Sequence, residues 1–162
     1  MRRIILYLLA GFTAVVLAAP PAYDESADAE ADVNSALIDA KASGLPVLIL
    51  FGANWCGDCR ALDLVLKEGK SAELVAKAFK VVKVDVGNFD RNQDLAETYG
   101  NPIKAGIPAA VVLSVDGKVL YITKAGELSN ARRMSETGIY EFFKGLTESL
   151  GSGIQAGVQR GI

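Results

Sequence analysis

The sequence predicts an α/β fold in which a four-stranded mixed sheet is flanked by helices on both faces. Residues 46–52 (PVLILFG) are apolar on both alternating faces, which is typical of a strand buried on both sides. A valine-rich alternating segment, residues 79–86, follows after a helical stretch. This strand–helix–strand order predicts parallel pairing with a right-handed crossover. Asp116-Gly117 separates two further strand-like segments, which predicts a hairpin of antiparallel strands.

The helices are predicted from the spacing of apolar residues and from signals at helix ends. Gly44 is a typical residue just after a helix, Ser71 can cap a short helix, and Asp90 with Gln93 resembles a capping box. The predicted helices are 27–42, 57–66, 71–78, 90–99 and 137–150; the predicted strands are 46–52, 79–86, 109–115 and 118–123; and residues 126–135 form a polar loop.

Composition limits the classes of function. The chain has 162 residues, of which 51% are apolar, so one domain with a substantial core is expected. Its net charge of −2 comes without a basic stripe, so we expect no nucleic-acid partner. We also expect a monomer. The sequence contains no histidine, which excludes Ser/His and Cys/His nucleophile pairs. Two cysteines alone cannot complete a tetrahedral zinc site, so we expect neither a metal nor a cofactor.

The N-terminus has the pattern of a secretory signal peptide. Arg2 and Arg3 precede an apolar run, residues 4–17, and Ala18-Ala19 supply small residues for cleavage. We expect cleavage after Ala18 and export to a bacterial periplasm, an oxidising compartment. The alternative is an uncleaved membrane anchor, although the apolar run is shorter than the roughly 20 residues that span a bilayer.

The sequence is therefore divided into four regions. Residues 1–18 are the signal peptide, and residues 19–32, rich in proline, alanine and acidic residues, are a linker and the start of the first helix. Residues 33–150 form the folded domain. Residues 151–162 are glycine-rich and are predicted to be a flexible tail.

The two cysteines form a Cys-x-x-Cys pair between a strand and a helix. Cys56 and Cys59 are the only cysteines, and this arrangement is typical of a thiol–disulfide redox site. Cys56 is expected at the helix N-terminus, where free N–H groups and the helix dipole favour its thiolate. Cys56 is therefore the predicted nucleophile, and Cys59, one turn later, the predicted resolving cysteine. Trp55 offers a flat apolar contact for a substrate or packs within the protein, and Gly57 permits close approach of another backbone.

Three features together resemble the thioredoxin superfamily. They are Trp55-Cys56-Gly57-Asp58-Cys59, the segment Gly106-Ile107-Pro108 that opens the third strand, and Gly126 after the hairpin. The resemblance covers roughly residues 30–150 and implies a thioredoxin-like fold. It also implies that Pro108 is cis and that the Ile107 main chain pairs with a substrate in strand-like fashion. The sequence also resembles small exported thioredoxin-like proteins and the C-terminal domains of bacterial transmembrane disulfide reductases.

The sequence departs from the family at two positions. Leu50 occupies the position where thioredoxins bury an aspartate, whereas Lys83 matches the lysine partner of that aspartate. Lys83 either reaches solvent or lies beneath Cys59 and stabilises its thiolate. Glu68, Asp85 and Glu97 are acids that could supply a substitute base, and the sequence does not identify which group replaces the missing aspartate.

The second departure is Asp58, which replaces the common proline between the cysteines. Its negative charge should oppose formation of the Cys56 thiolate and so favour a reducing pair. Arg60 acts in the opposite direction, but an exposed arginine should contribute little. Arg132-Arg133-Met134 lengthen the loop after Gly126, and either contact a partner or form a solvated loop.

The predicted function is thiol–disulfide exchange that reduces protein disulfides, with electrons supplied by a membrane-bound thiol donor. The sequence is also compatible with three alternatives. The same pair run in reverse would be a disulfide oxidase, and two thiols could carry a soft metal such as copper. The disulfide could also be structural, in a non-catalytic module that binds partners.

Overall fold

The computed structural model describes residues 20–158, and the backbone alone for residues 153–158. Its helices are α1 (Ala29–Ser43), α2 (Gly57–Val65), α3 (Gly69–Ala78), α4 (Gln93–Thr98) and α5 (Glu136–Val158), and its strands are β1 (Val47–Gly52), β2 (Lys80–Asp85), β3 (Ala109–Leu113) and β4 (Val119–Ile122). Two 3₁₀ helices, Pro102–Ala105 and Ala131–Arg133, lie in loops. Among the described residues, no helix has the length and apolarity needed to cross a bilayer.

The four strands form one mixed sheet in the order β2-β1-β3-β4. β1 pairs in parallel with β2 and antiparallel with β3, and β3 and β4 form the predicted antiparallel hairpin. The α/β prediction of a four-stranded mixed sheet is confirmed. In the β1–β2 register, Leu50 lies opposite Lys83 and Gly52 lies opposite Asp85. These two pairs lie near the end of β1 that leads to the cysteines.

Helices cover both faces of the sheet, which explains why β1 is apolar throughout. Val47, Ile49 and Phe51 belong to one core with residues of α1. Leu48 and Leu50 point to the other face and belong to a second core with residues of α2, α3 and α5. Because side chains alternate along a strand, every residue of β1 is buried.

The segment before α1 packs against the folded domain, although the sequence predicts a linker and the start of the first helix over 19–32 and a domain start at 33. Ala22 and Tyr23 are buried, and Tyr23 is only 3% exposed. Asn54 fixes this segment, because its amide accepts a hydrogen bond from the Tyr23 N–H and donates one to the Tyr23 carbonyl, each at 2.9 Å. Burial of one aromatic ring outweighs a composition that indicates a linker. The predicted signal peptide lies outside the described residues.

The start of α3 and the end of α5 also differ from the prediction. α3 begins at Gly69 rather than at residue 71. α5 continues to Val158, whereas the prediction placed the helix end at 150 and a flexible tail from 151. Each glycine in a helix costs only about 1 kcal/mol relative to alanine, so several glycines do not by themselves end a long helix. Residues 159–162 lie outside the described residues.

The capping box predicted at Asp90 does not form. α4 begins at Gln93 and is preceded by Asn92 in the left-handed conformation, with φ 51°. The Asp90 carboxylate instead accepts a hydrogen bond from the Asn88 N–H at 2.9 Å, and the Gln93 amide donates to the Phe89 carbonyl. Local side-chain bonds therefore hold residues 88–93 as a turn before the helix.

Replacing Gly52 by alanine should destabilise the fold by about 1–3 kcal/mol, the usual cost of overpacking a filled core. A Cβ at Gly52 would overlap the Tyr23 hydroxyl and ring, which lie directly over β1. Urea unfolding followed by circular dichroism measures the effect. Gly145→Ala is the matched control, since its Cβ would meet no atom within 4 Å in α5. That control should stabilise the helix by about 0.5–1 kcal/mol; equal stability of Gly52→Ala and wild type would contradict the packing of Tyr23.

Candidate active site

Cys56 and Cys59 lie at the N-terminus of α2 and form a disulfide with their Cα atoms 5.2 Å apart. Cys56 is the residue before the first helical turn, and its Sγ accepts a hydrogen bond from the Cys59 N–H at 3.2 Å. The first N–H groups of a helix have no partner within it, so they stabilise negative charge on this sulfur. Cys56 is 6% exposed and Cys59 is fully buried. Only Cys56 can therefore meet an incoming disulfide without a rearrangement.

A second segment reaches the cysteines from a distant part of the chain. The Ile107–Pro108 peptide bond is cis, and the Ile107 carbonyl oxygen lies 3.6 Å from Cys56 Sγ. Gly126 supports this segment: a Cβ there would lie 2.8 Å from the Ala105 carbonyl oxygen, so only glycine permits the close approach. The three sequence features that carried the family resemblance thus lie together at one edge of the molecule.

An exposed aromatic pair borders Cys56. Trp55 is 54% exposed and its indole Nε1 donates a hydrogen bond to the Gly87 carbonyl at 2.7 Å. Its ring meets the edge of Phe89 with the centroids 6.0 Å apart. Phe89 is itself 41% exposed and has φ 63°, an uncommon conformation for a bulky residue. The pair presents apolar surface to solvent beside the outer sulfur, where a substrate would contact it.

A buried carboxylate lies behind Cys59, but it comes from α2 rather than from β1. Asp63 follows Cys59 by one helical turn and is 5% exposed. It pairs with Lys83 from β2, and its second oxygen lies 2.8 Å from Lys67 Nζ. Residues four apart share one face of a helix, so Asp63 and Cys59 point to the same side. Lys83 has the buried partner that Leu50 cannot provide.

The three acids considered as substitutes for the missing aspartate do not occupy this position. Glu68 and Glu97 are exposed. Asp85 is buried, but it lies opposite Gly52, where it accepts a hydrogen bond from the Gly87 N–H at 3.0 Å. None of these three acids pairs with Lys83, whereas Asp63 does.

Tyr23 adds a neutral polar group to this buried cluster. Burial raises the pKa of the Tyr23 hydroxyl, and the negative charges of Asp63 and Asp85 raise it further. The phenol therefore stays protonated at neutral pH and remains a hydrogen-bond donor. It lies over Gly52, the residue of β1 that pairs with Asp85.

Asp58 does not present a bare charge to Cys56. Its carboxylate accepts hydrogen bonds from the Arg132 main-chain N–H at 2.9 Å and from Arg132 Nε at 3.2 Å. Partial burial raises the pKa of Asp58, but these bonds and the charges of Arg132 and Arg133 outweigh it and lower the pKa below its usual value. Arg60 is exposed. The side chain of Arg132 is 64% exposed, so this loop is solvated and at the same time contacts α2 through Asp58.

Comparison with known proteins assigns the family. A family model described as thioredoxin-like matches residues 28–114, more than half of the chain. The chain belongs to the thioredoxin-like family. A crystal structure of a disulphide isomerase from Xylella fastidiosa Temecula1 is 57% identical, with a TM-score of 0.79 over 80% of this chain and 99% of that one.

Curated thioredoxins agree with this assignment. Thioredoxin from Pseudomonas aeruginosa is 40% identical over 93 residues, which are 57% of this chain and 75% of that protein. Thioredoxin from Acidithiobacillus ferridurans is 35% identical over 94 residues, 58% of this chain and 78% of that protein. The chain is thus a thioredoxin-like oxidoreductase whose Cys-x-x-Cys pair is able to form a disulfide.

In this thioredoxin-like site, the structure brings together most of the residues singled out in the sequence. Trp55, Cys56, Cys59, Ile107 and Pro108 lie together at this site, Gly57 and Asp58 separate the two cysteines along the chain, and Lys83 pairs with Asp63 one turn after Cys59. Sequence reasoning missed the remaining contributors, which are Tyr23, Asp63, Phe89 and Arg132. Among residues 20–158, no group of three or more Cys, His, Asp or Glu residues is arranged to hold a metal ion.

Proposed function

We propose that this protein reduces protein disulfides in the periplasm by thiol–disulfide exchange, with Cys56 as the nucleophile and Cys59 as the resolving cysteine. The supporting observation is the asymmetry of the pair: Cys56 keeps 6% exposure and lies at a helix N-terminus, whereas Cys59 is fully buried. The attacking group in such exchange is a thiolate, and a helix N-terminus is a site that stabilises one.

The reaction balances as two exchanges. The Cys56 thiolate attacks one sulfur of the substrate disulfide, that S–S bond breaks, and the leaving substrate sulfur takes up a proton. The Cys59 thiolate then attacks Cys56 Sγ, the mixed disulfide breaks, and the second substrate thiol leaves. The substrate gains two electrons and two protons, and the protein is left with the Cys56–Cys59 disulfide. A membrane-bound thiol donor is proposed to reduce it again.

Asp63 is proposed to handle the proton of Cys59. Cys59 has to lose a proton before it can attack, and the buried site offers few groups to take it. The Asp63 carboxylate lies one turn away on the same helix face, and it forms ion pairs with Lys83 and Lys67. A positioned general base of this kind typically contributes about 10²–10⁴-fold in rate.

Substrate contact is proposed at the aromatic pair and at the Ile107 main chain. Trp55 and Phe89 supply apolar area next to the outer sulfur, and the Ile107 backbone can pair with an extended chain. Localisation follows from the N-terminal pattern: cleavage after Ala18 would release the protein into the periplasm, whereas an uncleaved segment would keep it at the membrane.

Disulfide isomerisation is the second candidate, because the Xylella protein at 57% identity carries that name. Isomerisation needs the Cys56 attack but no net oxidation of the pair. Reactivation of scrambled ribonuclease in a glutathione buffer measures it separately from reduction.

Reduction is tested with the chain from residue 19 onward, dithiothreitol and insulin, whose reduced B chain precipitates. We expect turbidity well ahead of the dithiothreitol control. A folded wild-type protein that adds nothing to that control in either assay would exclude the proposed function. Cell fractionation with a cytoplasmic marker tests the location, and recovery with that marker would contradict export.

A further inference from the structure

Arg132 contacts both residues that separate the two cysteines. Besides its main-chain and Nε bonds to the Asp58 carboxylate, its terminal nitrogen Nη2 lies 3.1 Å from Asp58 Oδ2. The rest of the side chain passes over Gly57, since a Cβ built there would lie 2.9 Å from Arg132 Nη1 and 3.1 Å from its Cδ. One side chain from the loop after β4 therefore covers the turn that carries Cys56.

The contact changes the charge next to the nucleophile. An unpaired carboxylate beside a thiol disfavours the thiolate. Here the Asp58 side chain is 14% exposed, Arg132 Nε and Nη2 both lie close to its Oδ2, and the Arg132 main-chain N–H binds its Oδ1. The Asp58–Arg132 pair carries almost no net charge. The electrostatic field at Cys56 therefore depends on both residues and not on Asp58 alone.

We propose that Arg132 is a positioning residue of the redox centre, which neutralises Asp58 and thereby stabilises the Cys56 thiolate and raises the reduction potential of the cysteine pair. The inference rests on the proposed function, since it concerns the same two sulfurs. It reverses the effect that Asp58 would have alone, and it gives the long loop after Gly126 a role in the chemistry.

Other charged groups around the site do not replace Arg132. Arg133 follows it in the same 3₁₀ helix and acts on Asp58 only through its charge. Arg60 on α2 is exposed. Asp63 and Lys83, behind Cys59, form a pair with each other. Among residues 20–158, Arg132 is the cation within ion-pair distance of Asp58.

The experiment compares wild type, Arg132→Ala, Asp58→Asn and the double variant. Thiolate absorbance against pH gives the Cys56 pKa, and equilibration with reduced and oxidised glutathione gives the reduction equilibrium. Arg132→Ala should raise the Cys56 pKa, and Asp58→Asn should lower it because Arg132 is then unopposed. The double variant should lie close to wild type, since it again has no net charge at these positions. We expect a roughly two- to fivefold shift of the glutathione equilibrium for each single variant, the range of partly exposed ion pairs.

Matched variants distinguish the effect of the Arg132 charge on Cys56 from the effect of any change in this loop. Arg133→Ala removes the same charge from the same 3₁₀ helix without breaking the contact, so its shift should be smaller. Arg132→Lys should restore part of the wild-type value, and 1 M salt should reduce the differences by screening. An Arg132→Ala protein with the wild-type pKa and equilibrium, or an equal shift in Arg133→Ala, would overturn the inference. Neither measurement uses a protein substrate, so an inactive wild type in the insulin assay would not affect this outcome.

Discussion

Replacing Cys56 by serine should reduce disulfide reduction to the uncatalysed rate, whereas Cys59→Ser should stop the reaction after one bond has formed. A serine hydroxyl is not ionised at neutral pH, so the Cys56 variant has no accessible nucleophile to attack a substrate disulfide. Cys59 is fully buried and takes no part in the first attack. Its variant should therefore form the mixed disulfide on Cys56 and hold it, because nothing remains to attack Cys56 Sγ.

Insulin turbidity measures the loss of turnover, and non-reducing mass spectrometry measures the trapped adduct. The variant with both cysteines replaced by serine is the control for adducts that form without the site. Recovery of substrate on Cys56→Ser but not on Cys59→Ser would reverse the assignment of the two cysteines. In a periplasmic extract, the proteins held by Cys59→Ser identify the substrates.

The fold could be predicted because each of its central elements has a clear local sequence pattern. β1 is apolar on both faces, and that property alone places it in the interior of a sheet with helices on each side. The hairpin follows from Asp116-Gly117, and the Cys-x-x-Cys pair identifies the strand-to-helix junction. Each of these signals lies within a few residues of the structure it predicts. The ordered segment around Tyr23 could not be predicted in this way, because its structure depends on contacts with Asn54 and Gly52, which are distant in the sequence.

The supporting residues of the site could not be predicted for the same reason. Asp63 stands four residues after Cys59, a spacing visible in the sequence, but its pairing with Lys83 depends on how α2 lies over β2. The family pattern places the acid in β1, where this sequence has Leu50 instead. Arg132 lies far along the chain from Asp58, and only the packing of the loop against α2 joins them. Sequence can show that a group is absent from its usual element, whereas a substitute from another element requires the structure.

Asp63→Asn should slow the resolving step by about 10²-fold and leave the first attack unchanged. The asparagine amide cannot accept the Cys59 proton, and the buried thiol has no other carboxylate one turn away. The two steps are separated with a chromophoric aromatic disulfide added in equal amount to the reduced protein. The first coloured thiolate is released by the Cys56 attack and the second by the Cys59 attack. Only the second phase should slow, and it should recover as the pH rises because Cys59 then ionises without help.

The same substitution also affects stability, which has to be distinguished from its effect on rate. Breaking a fully buried ion pair costs about 3–5 kcal/mol. Lys83 and Lys67 are 33% and 40% exposed and can turn to solvent, so the cost here should be below that range. Lys67→Met keeps the carboxylate and the Lys83 pair, so it should lose little rate in the second phase. A slow second phase in this control, or a normal one in Asp63→Asn, would contradict a proton-accepting Asp63.

A double variant tests whether the position of the acid matters or only its presence. Leu50→Asp combined with Asp63→Asn moves the carboxylate from α2 to β1, where it faces the same Lys83 in the strand register. If the requirement is a charged oxygen close to both Cys59 and Lys83, the double variant should recover a large part of the second-phase rate lost in Asp63→Asn. Recovery would mean that the helix position and the strand position are alternative solutions to one requirement. A folded double variant that stays as slow as Asp63→Asn would show that the proton is transferred only along the face of α2.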